Sequence, residues 1–310
     1  MQCALIDDGI TNAELFALLI ATAEFLDDGH IQLSGAGQDD DGWANPYPHY
    51  DALYELELNA ESQYLDGPLS WAANDWVAWG TIGAYGYVSI TSMDELSNSG
   101  EEADDVDAAG DALAQVFADL QSSAGIIVDV RANEGGWDAV SLEITRHFAG
   151  ESTLAWSEAV RNGPEHDDFS DWDDTLIPDA TDDAYAGPVV VLSSGGTFSA
   201  GETFLLAMRE RPQVVVMGER SSGHLSDIFD AELPNGWELG FSGERYRAAD
   251  GEIYERVGVP PDSEVGLDVD ALDGGTDVML EAALALLAES SLAAQSMQVF
   301  ASQPPSSTAS

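Results

Sequence analysis

The sequence predicts an α/β fold of repeated βαβ units preceded by a small N-terminal helical part. The β-branched run Val189, Val190, Val191 reads as a buried strand that breaks at the small-residue turn Ser193 to Gly196. A helix-forming segment follows from about Ser199 to Arg209, and then a second apolar strand, Val214 to Met217. The same alternation comes earlier: strand Tyr85 to Thr91, amphipathic helix Asp104 to Leu120, buried strand Ile126 to Val130, helix Trp137 to Phe148. A strand, a crossover helix and a parallel strand form the βαβ unit. With 310 residues, 45% of them hydrophobic, the chain can bury one large core or two smaller ones.

Taken in order, the first element is a helix. Thr11 and Glu14 make a capping box, and Leu15, Leu18, Leu19, Thr22 and Leu26 recur at helical spacing up to the LDDGH step at Leu26 to His30. Asp27 and Asp28 sit unfavourably at the helix's C-terminal dipole, and His30 just past its end. GAGQDDDGWANPYP is a loop by composition, and Tyr50 to Tyr64 and Trp71 to Trp79 alternate as strands or a short helix plus strand. Trp71, Trp76 and Trp79 belong to the core or line a groove. Residues 151 to 187 read as a polar, Asp-rich surface excursion holding His166, whose neighbours Asp167 and Asp168 form at most a weak metal site because no second histidine stands at ligand spacing. Ile228 to Leu233 and Trp237 to Phe241 flank PNG, a hairpin signal. Pro260 and Pro261 fix a turn, Asp277 to Leu287 is a last helix, and a polar tail follows. The expected division is 1–80 for the N-terminal part, 81–296 for the α/β core and 297–310 for a disordered tail.

The charge is extreme: 58 acidic side chains against nine basic ones, for a formal net of −49, and all nine are arginines. Such a surface repels nucleic acid and anionic membrane. The acid runs Asp39 to Asp41 and Asp104, Asp105 and Asp107 fit a solvated skin rather than calcium loops, since none has the calcium-loop spacing. An acidic, lysine-free surface is expected of a protein from a high-salt medium, where screening removes self-repulsion. No apolar run approaches the roughly 20 residues that span a bilayer, and no cationic signal-peptide start is present. The protein is then expected to be cytoplasmic, or exported if a leader has been removed. Cys3 stands alone, so no internal disulfide forms.

The candidate chemistry centres on Ser199, which opens a helix at the carboxyl edge of a parallel sheet, where such folds carry their sites. Helix capping is the plain role of a serine there, nucleophilic attack the sharper one. GGTFSAGE resembles the serine-nucleophile motif of tail-specific, C-terminal-processing and tricorn-core peptidases, the S41 family. LDDGH, IIVDVRANEGG, GERSSGHLSD, LPNGWELGFSGERY and YERVGVPPDSEV match in the same order, over about residues 12 to 290. The resemblance implies a ClpP/crotonase-like core without a PDZ domain, since only about fifty residues separate His30 from the next clear strand. It implies a serine endopeptidase acting on peptides or proteins without a cofactor. Ser199 is then the nucleophile, His30 the general base, and Glu255 the acid of its network. Oxyanion donors come from Gly135 or Gly136 together with Ala200. Tail-specific relatives place a lysine base in the loop where this chain has His224; with no lysine present, a Ser–Lys dyad is excluded and His224 is the alternative base. A non-catalytic module holding apolar ligands, as in retinoid-carrying relatives, and a hydrolase of non-peptide esters are the rival readings.

Overall fold

A computed structural model describes residues 10–23, 25, 28–35, 53 and 62–301. The loop around Asp39 to Asp41, most of the stretch Tyr50 to Tyr64, Cys3 and the tail after Ala301 lie outside the described residues.

The centre is a seven-stranded sheet of β2 (Ser70–Ala72), β3 (Val77–Ile82), β4 (Tyr85–Ile90), β5 (Ile126–Asp129), β8 (Val189–Ser193), β9 (Val214–Gly218) and β13 (Ser263–Glu264). Its spatial order is β13-β9-β8-β5-β4-β3-β2. The strands from β4 through β13 pair in parallel, whereas β3 and β2 add antiparallel. The expected boundary at residue 80 therefore cuts through β3, which pairs along Val77–Ile82 with β4 and buries Val77 and Trp79 on one face of the main sheet and Ile82 on the other.

The strands bury both faces, as parallel strands do. Ile126, Val128, Val189 and Val191 turn to one face, where α2 (Glu102–Leu120), α3 (Asp138–Thr145) and α4 (Ala200–Arg209) pack. Ile127, Val190 and Leu192 turn to the other, against Leu280, Ala283 and Leu287 of the last helix, Val278–Ala301. That helix runs past the expected boundary at residue 296. Trp79 is core, donating its indole N–H to Asp119 at 2.9 Å, and Trp76 packs against it, while Trp71 stays exposed. The pair Asp129–Arg131 is buried and extends to Asp277, 2.8 Å from the guanidinium. Asp105 is not solvated skin: it is buried, accepting the N–H groups of Glu95 and Ser97 that would otherwise lose their water partners.

Two small sheets flank this core. In the first, α1 (Asn12–Ala23) covers β1 (Gln32–Ser34), β11 (Glu238–Ser242) and β10 (Ile228–Glu232), with Phe16, Leu33 and Trp237 as a shared apolar cluster. The Thr11 capping box forms, its N–H donating to Glu14 at 2.9 Å. In the second, β6 (Leu154–Val160) lies between β12 (Glu244–Ala248) and β7 (Asp173–Leu176). The 151–187 segment is thus partly core rather than a surface excursion. Trp156 is fully buried, 6.2 Å from the ring of Tyr246, because the inward positions of LAWSEAV are apolar or small.

Candidate active site

Loops leaving the carboxyl ends of β4, β5, β8 and β9 converge, as they must where parallel strands end together. Side chains tie them. Ser194 Oγ donates to the Arg131 carbonyl at 2.7 Å, and Thr197 Oγ1 to that of Val130 at 2.8 Å. Asn133 joins three segments: its Nδ2 donates to the Ile90 carbonyl, its Oδ1 accepts from Gly135 N–H, and its carbonyl accepts from Phe198 N–H.

This framework holds Ser199 at φ 51° and ψ −122°, a conformation that strains a side-chain-bearing residue by about 1–3 kcal/mol. The strand-to-helix turn lifts the serine to the N-terminus of α4, the arrangement found at exposed nucleophiles in α/β hydrolases. Gly135, at φ +93°, must be glycine: a Cβ there would sit 2.6 Å from the Ser199 Cβ. Glu202, fully buried one turn on, accepts from Ser199 N–H at 3.3 Å, His224 N–H at 2.7 Å, Gly223 N–H at 2.7 Å and Ser221 Oγ at 2.5 Å. Burial pushes its carboxyl up to about 7 against the pull of those donors. The Ala-x-Glu step of the sequence is therefore a clamp between the helix start and the GERSSGHLSD loop.

Ser199, His30, Gly135 and Gly136 line one cavity of about 350 Å³, with Trp137, Phe198 and Ile228 among its walls. His30 is buried, its ring 4.8 Å from that of Phe198. Its Nδ1 lies 3.4 Å from Ser242 Oγ, whose own proton goes to Asp28 Oδ1 at 2.8 Å. With that proton committed, the oxygen can only accept from Nδ1–H, which leaves the lone pair of the neutral ring on Nε2. Nε2 is buried without a hydrogen-bond partner among the described residues. Burial lowers the imidazole to about 4 despite Asp28, with His224 adding to the fall. Burial would raise Asp28, but the Ser242 and His30 N–H groups, together with the Ser242 hydroxyl, outweigh it and hold the carboxyl below its usual range.

Asp28 and Ser242 were not singled out from the sequence. They are 214 residues apart and meet because β1 pairs antiparallel with β11. The local signals were the quoted stretches alone, Asp28 within LDDGH and Ser242 within LPNGWELGFSGERY. Glu255 lines a neighbouring cavity with Asp28 and Ser242: its Oε2 accepts from the N–H groups of Leu225 and Ser226, burial pushes it up to about 7 with Asp28 adding to the rise, and no hydrogen bond among the described residues joins it to His30. His224 stacks on Phe198 at 5.1 Å, stands 6.1 Å from His30, and holds Ser222 Oγ with Nδ1 at 2.8 Å. A Cβ on Gly29 would lie 2.7 Å from its Nε2, so that edge of the ring is packed against the backbone before His30. No described hydrogen bond joins Ser199 Oγ to either imidazole. Gly135 N–H is already spent on Asn133, whereas those of Gly136 and Ala200 have no partner among the described residues. His166 lies outside this cavity, and no cluster of three or more such side chains among the described residues is placed to hold a metal ion.

A serine on a strained turn beside a neutral, buried histidine is the constellation of hydrolases with a serine nucleophile. Residues 84–265, more than half of the chain, match peptidase family S41, and the chain belongs to that family. The match includes Ser199, Gly135, Gly136, Ala200, His224 and Glu255 and leaves His30 outside. The chloroplastic C-terminal processing peptidase of Tetradesmus obliquus is 28% identical over 163 residues, 51% of this chain and 32% of that protein. The carboxyl-terminal-processing protease of Synechocystis is 27% identical over 172 residues, 54% of this chain and 38% of its own. The chain thus spans about a third of the length of these curated relatives. The crystal structure of a putative peptidase from Parabacteroides merdae superposes with a TM-score of 0.75 at 28% identity, covering 92% of this chain and 86% of that one.

Proposed function

We propose that the protein is a serine endopeptidase of the Ser–His type on a ClpP/crotonase-like core, cleaving peptide bonds in peptides or proteins. The carrying observation is that Ser199 and His30 share one cavity while His30 Nε2 has no hydrogen-bond partner among the described residues. Ser199 Oγ attacks the scissile carbonyl carbon as His30 Nε2 takes its proton. The same proton passes to the leaving amine as the C–N bond breaks, and water then cleaves the acyl ester by the reverse sequence. The N–H groups of Gly136 and Ala200 receive the developing oxyanion, each worth about 3 kcal/mol at the transition state. Ser242 and Asp28 hold the ring tautomer and stabilise the imidazolium; Glu202 and Glu255 hold the loop after β9, which carries His224. In this reading the unprotonated nitrogen and the free donors sit ready before substrate arrives, and binding tightens the serine–histidine contact.

The test is hydrolysis of an unfolded protein substrate by the chain and by Ser199→Ala. The variant is expected to lose all measurable cleavage with a thermal midpoint within a few degrees of the parent. Retained cleavage would refute the assignment of Ser199.

A further inference from the structure

Around β1 the side chains alternate between two cavities, as strand geometry requires. His30 and Gln32 line the one beside Ser199, while Ile31 and Leu33 line a second on the opposite face. That second cavity has a volume of about 590 Å³, within the range of small-molecule sites. Leu19, Leu33, Leu233, Leu239 and Phe241 make most of its wall apolar.

Its charge pattern departs from the rest of the chain. Only nine residues in 310 are basic, yet Arg161, Arg245 and Arg256 all line this one cavity. Arg161 and Arg245 both stack on Phe169, with guanidinium carbons 4.8 and 3.9 Å from its ring centroid. Arg161 donates to two neutral carbonyl oxygens, those of Glu165 at 2.8 Å and His166 at 3.2 Å. Arg245 reaches Asp167 at 3.5 Å, but that carboxylate is 85% exposed and the pairing is screened by water. The acids that also line the cavity are engaged otherwise. Asp28 and Glu255 accept backbone N–H groups, and Glu244 is pushed up to about 7 by burial, with Asp227 and Glu158 adding to the rise. A guanidinium pair that, among the described residues, has no carboxylate within ion-pair distance but the exposed Asp167, at the edge of an apolar chamber, attracts an anion that carries an apolar body.

We propose that this cavity binds a small amphiphile, an apolar chain ending in a carboxylate, with the chain along Leu33, Leu239 and Phe241 and the head between Arg161 and Arg245. The planar fork of each arginine suits a carboxylate, and neither Ser199 nor His30 lines the site, which shares with the peptidase reading only the far side of Asp28 and Ser242.

The experiment is calorimetric titration of the whole chain with decanoate and, in parallel, with decan-1-ol, which has the same chain and no charge. Decanoate is expected to bind one per chain and at least tenfold more tightly than the alcohol. Arg161→Gln and Arg245→Gln, both at solvent-accessible positions, are expected to weaken decanoate at least fivefold each and leave the alcohol unchanged. Ser199→Ala is expected to bind decanoate as the parent does, which separates this site from the fate of the peptidase reading. The proposal is overturned if decanoate shows no saturable binding, if acid and alcohol bind equally, if both arginine variants bind as the parent, or if Ser199→Ala abolishes binding. Should an arginine variant fail to fold, the acid–alcohol comparison on the parent chain still decides.

Discussion

Replacing Asp28 by asparagine removes one charge and leaves the shape. Asp28 accepts from His30 N–H at 2.9 Å, Ser242 N–H at 2.9 Å and Ser242 Oγ at 2.8 Å. Asn keeps a single acceptor oxygen, so at least one charge-assisted bond is lost, worth about 1.5–3 kcal/mol of stability. The effect on chemistry comes through the ring. The links of 3.4 Å and 2.8 Å place the carboxylate at most about 6 Å from Nδ1, where a full charge on the imidazolium gains about 3 kcal/mol at an effective dielectric constant near 20. Losing that raises the barrier enough to cut kcat about 100-fold, with KM little changed. Asp28 is held below its usual carboxylate range, so its contribution to stability is present above the unfolded pKa and lost as pH falls through the folded one. The variant should therefore also show a flatter acid limb in its melting curve. The assay is initial-rate kinetics on one peptide substrate, paired with thermal melts from neutral to acid pH. A kcat within threefold of the parent in a fully folded variant would refute the relay through Ser242.

Three further outcomes are expected. His30→Ala should lower kcat by several orders of magnitude and His224→Ala much less, and the parent kcat/KM should have its acid limb near 4, where buried His30 titrates; the opposite ranking would make His224 the base. Gly135→Ala should cut turnover at least 100-fold, because its Cβ would meet Ser199 Cβ at 2.6 Å on a backbone at φ +93°; activity near the parent's would show that the serine has room to move. The net charge of −49 should make the thermal midpoint climb between about 0.1 and 1 M KCl, as the screening length falls from about 10 to 3 Å, and a flat midpoint would remove the argument for a high-salt origin. In the same melts Asp138, Glu202, Glu244 and Glu255, all raised to about 7, bind more protons folded than unfolded, so stability should fall as pH rises from the ordinary carboxylate range to 7, while neutral His30 sets an opposing loss as pH falls towards 4.

The βαβ core was legible because its signals are local: β-branched runs alternate with amphipathic helices, and each inward position sits within one element. Ser199 was legible for the same reason, since a strand, a small-residue turn and a helix start lie in one stretch. The support of His30 was not. Asp28 and Ser242 join across 214 residues through a three-residue strand, and nothing in either segment alone announces the pairing. Glu202 stood in the sequence only as the glutamate of the GGTFSAGE stretch, yet it clamps a loop about twenty residues further on, a contact that only the packed sheet creates. The 151–187 segment misled because its many acids masked the inward alternation around Trp156, which the fold buries against Tyr246.

The most direct test of the account is covalent labelling with a fluorophosphonate, followed by peptide mapping. Such a probe reacts only with a serine whose proton is being taken by a neighbouring base. The account predicts one adduct, on Ser199, formed by the folded parent and absent when the chain is denatured before labelling and in His30→Ala. An adduct on another serine, or labelling of Ser199 that persists undiminished in His30→Ala, would contradict it.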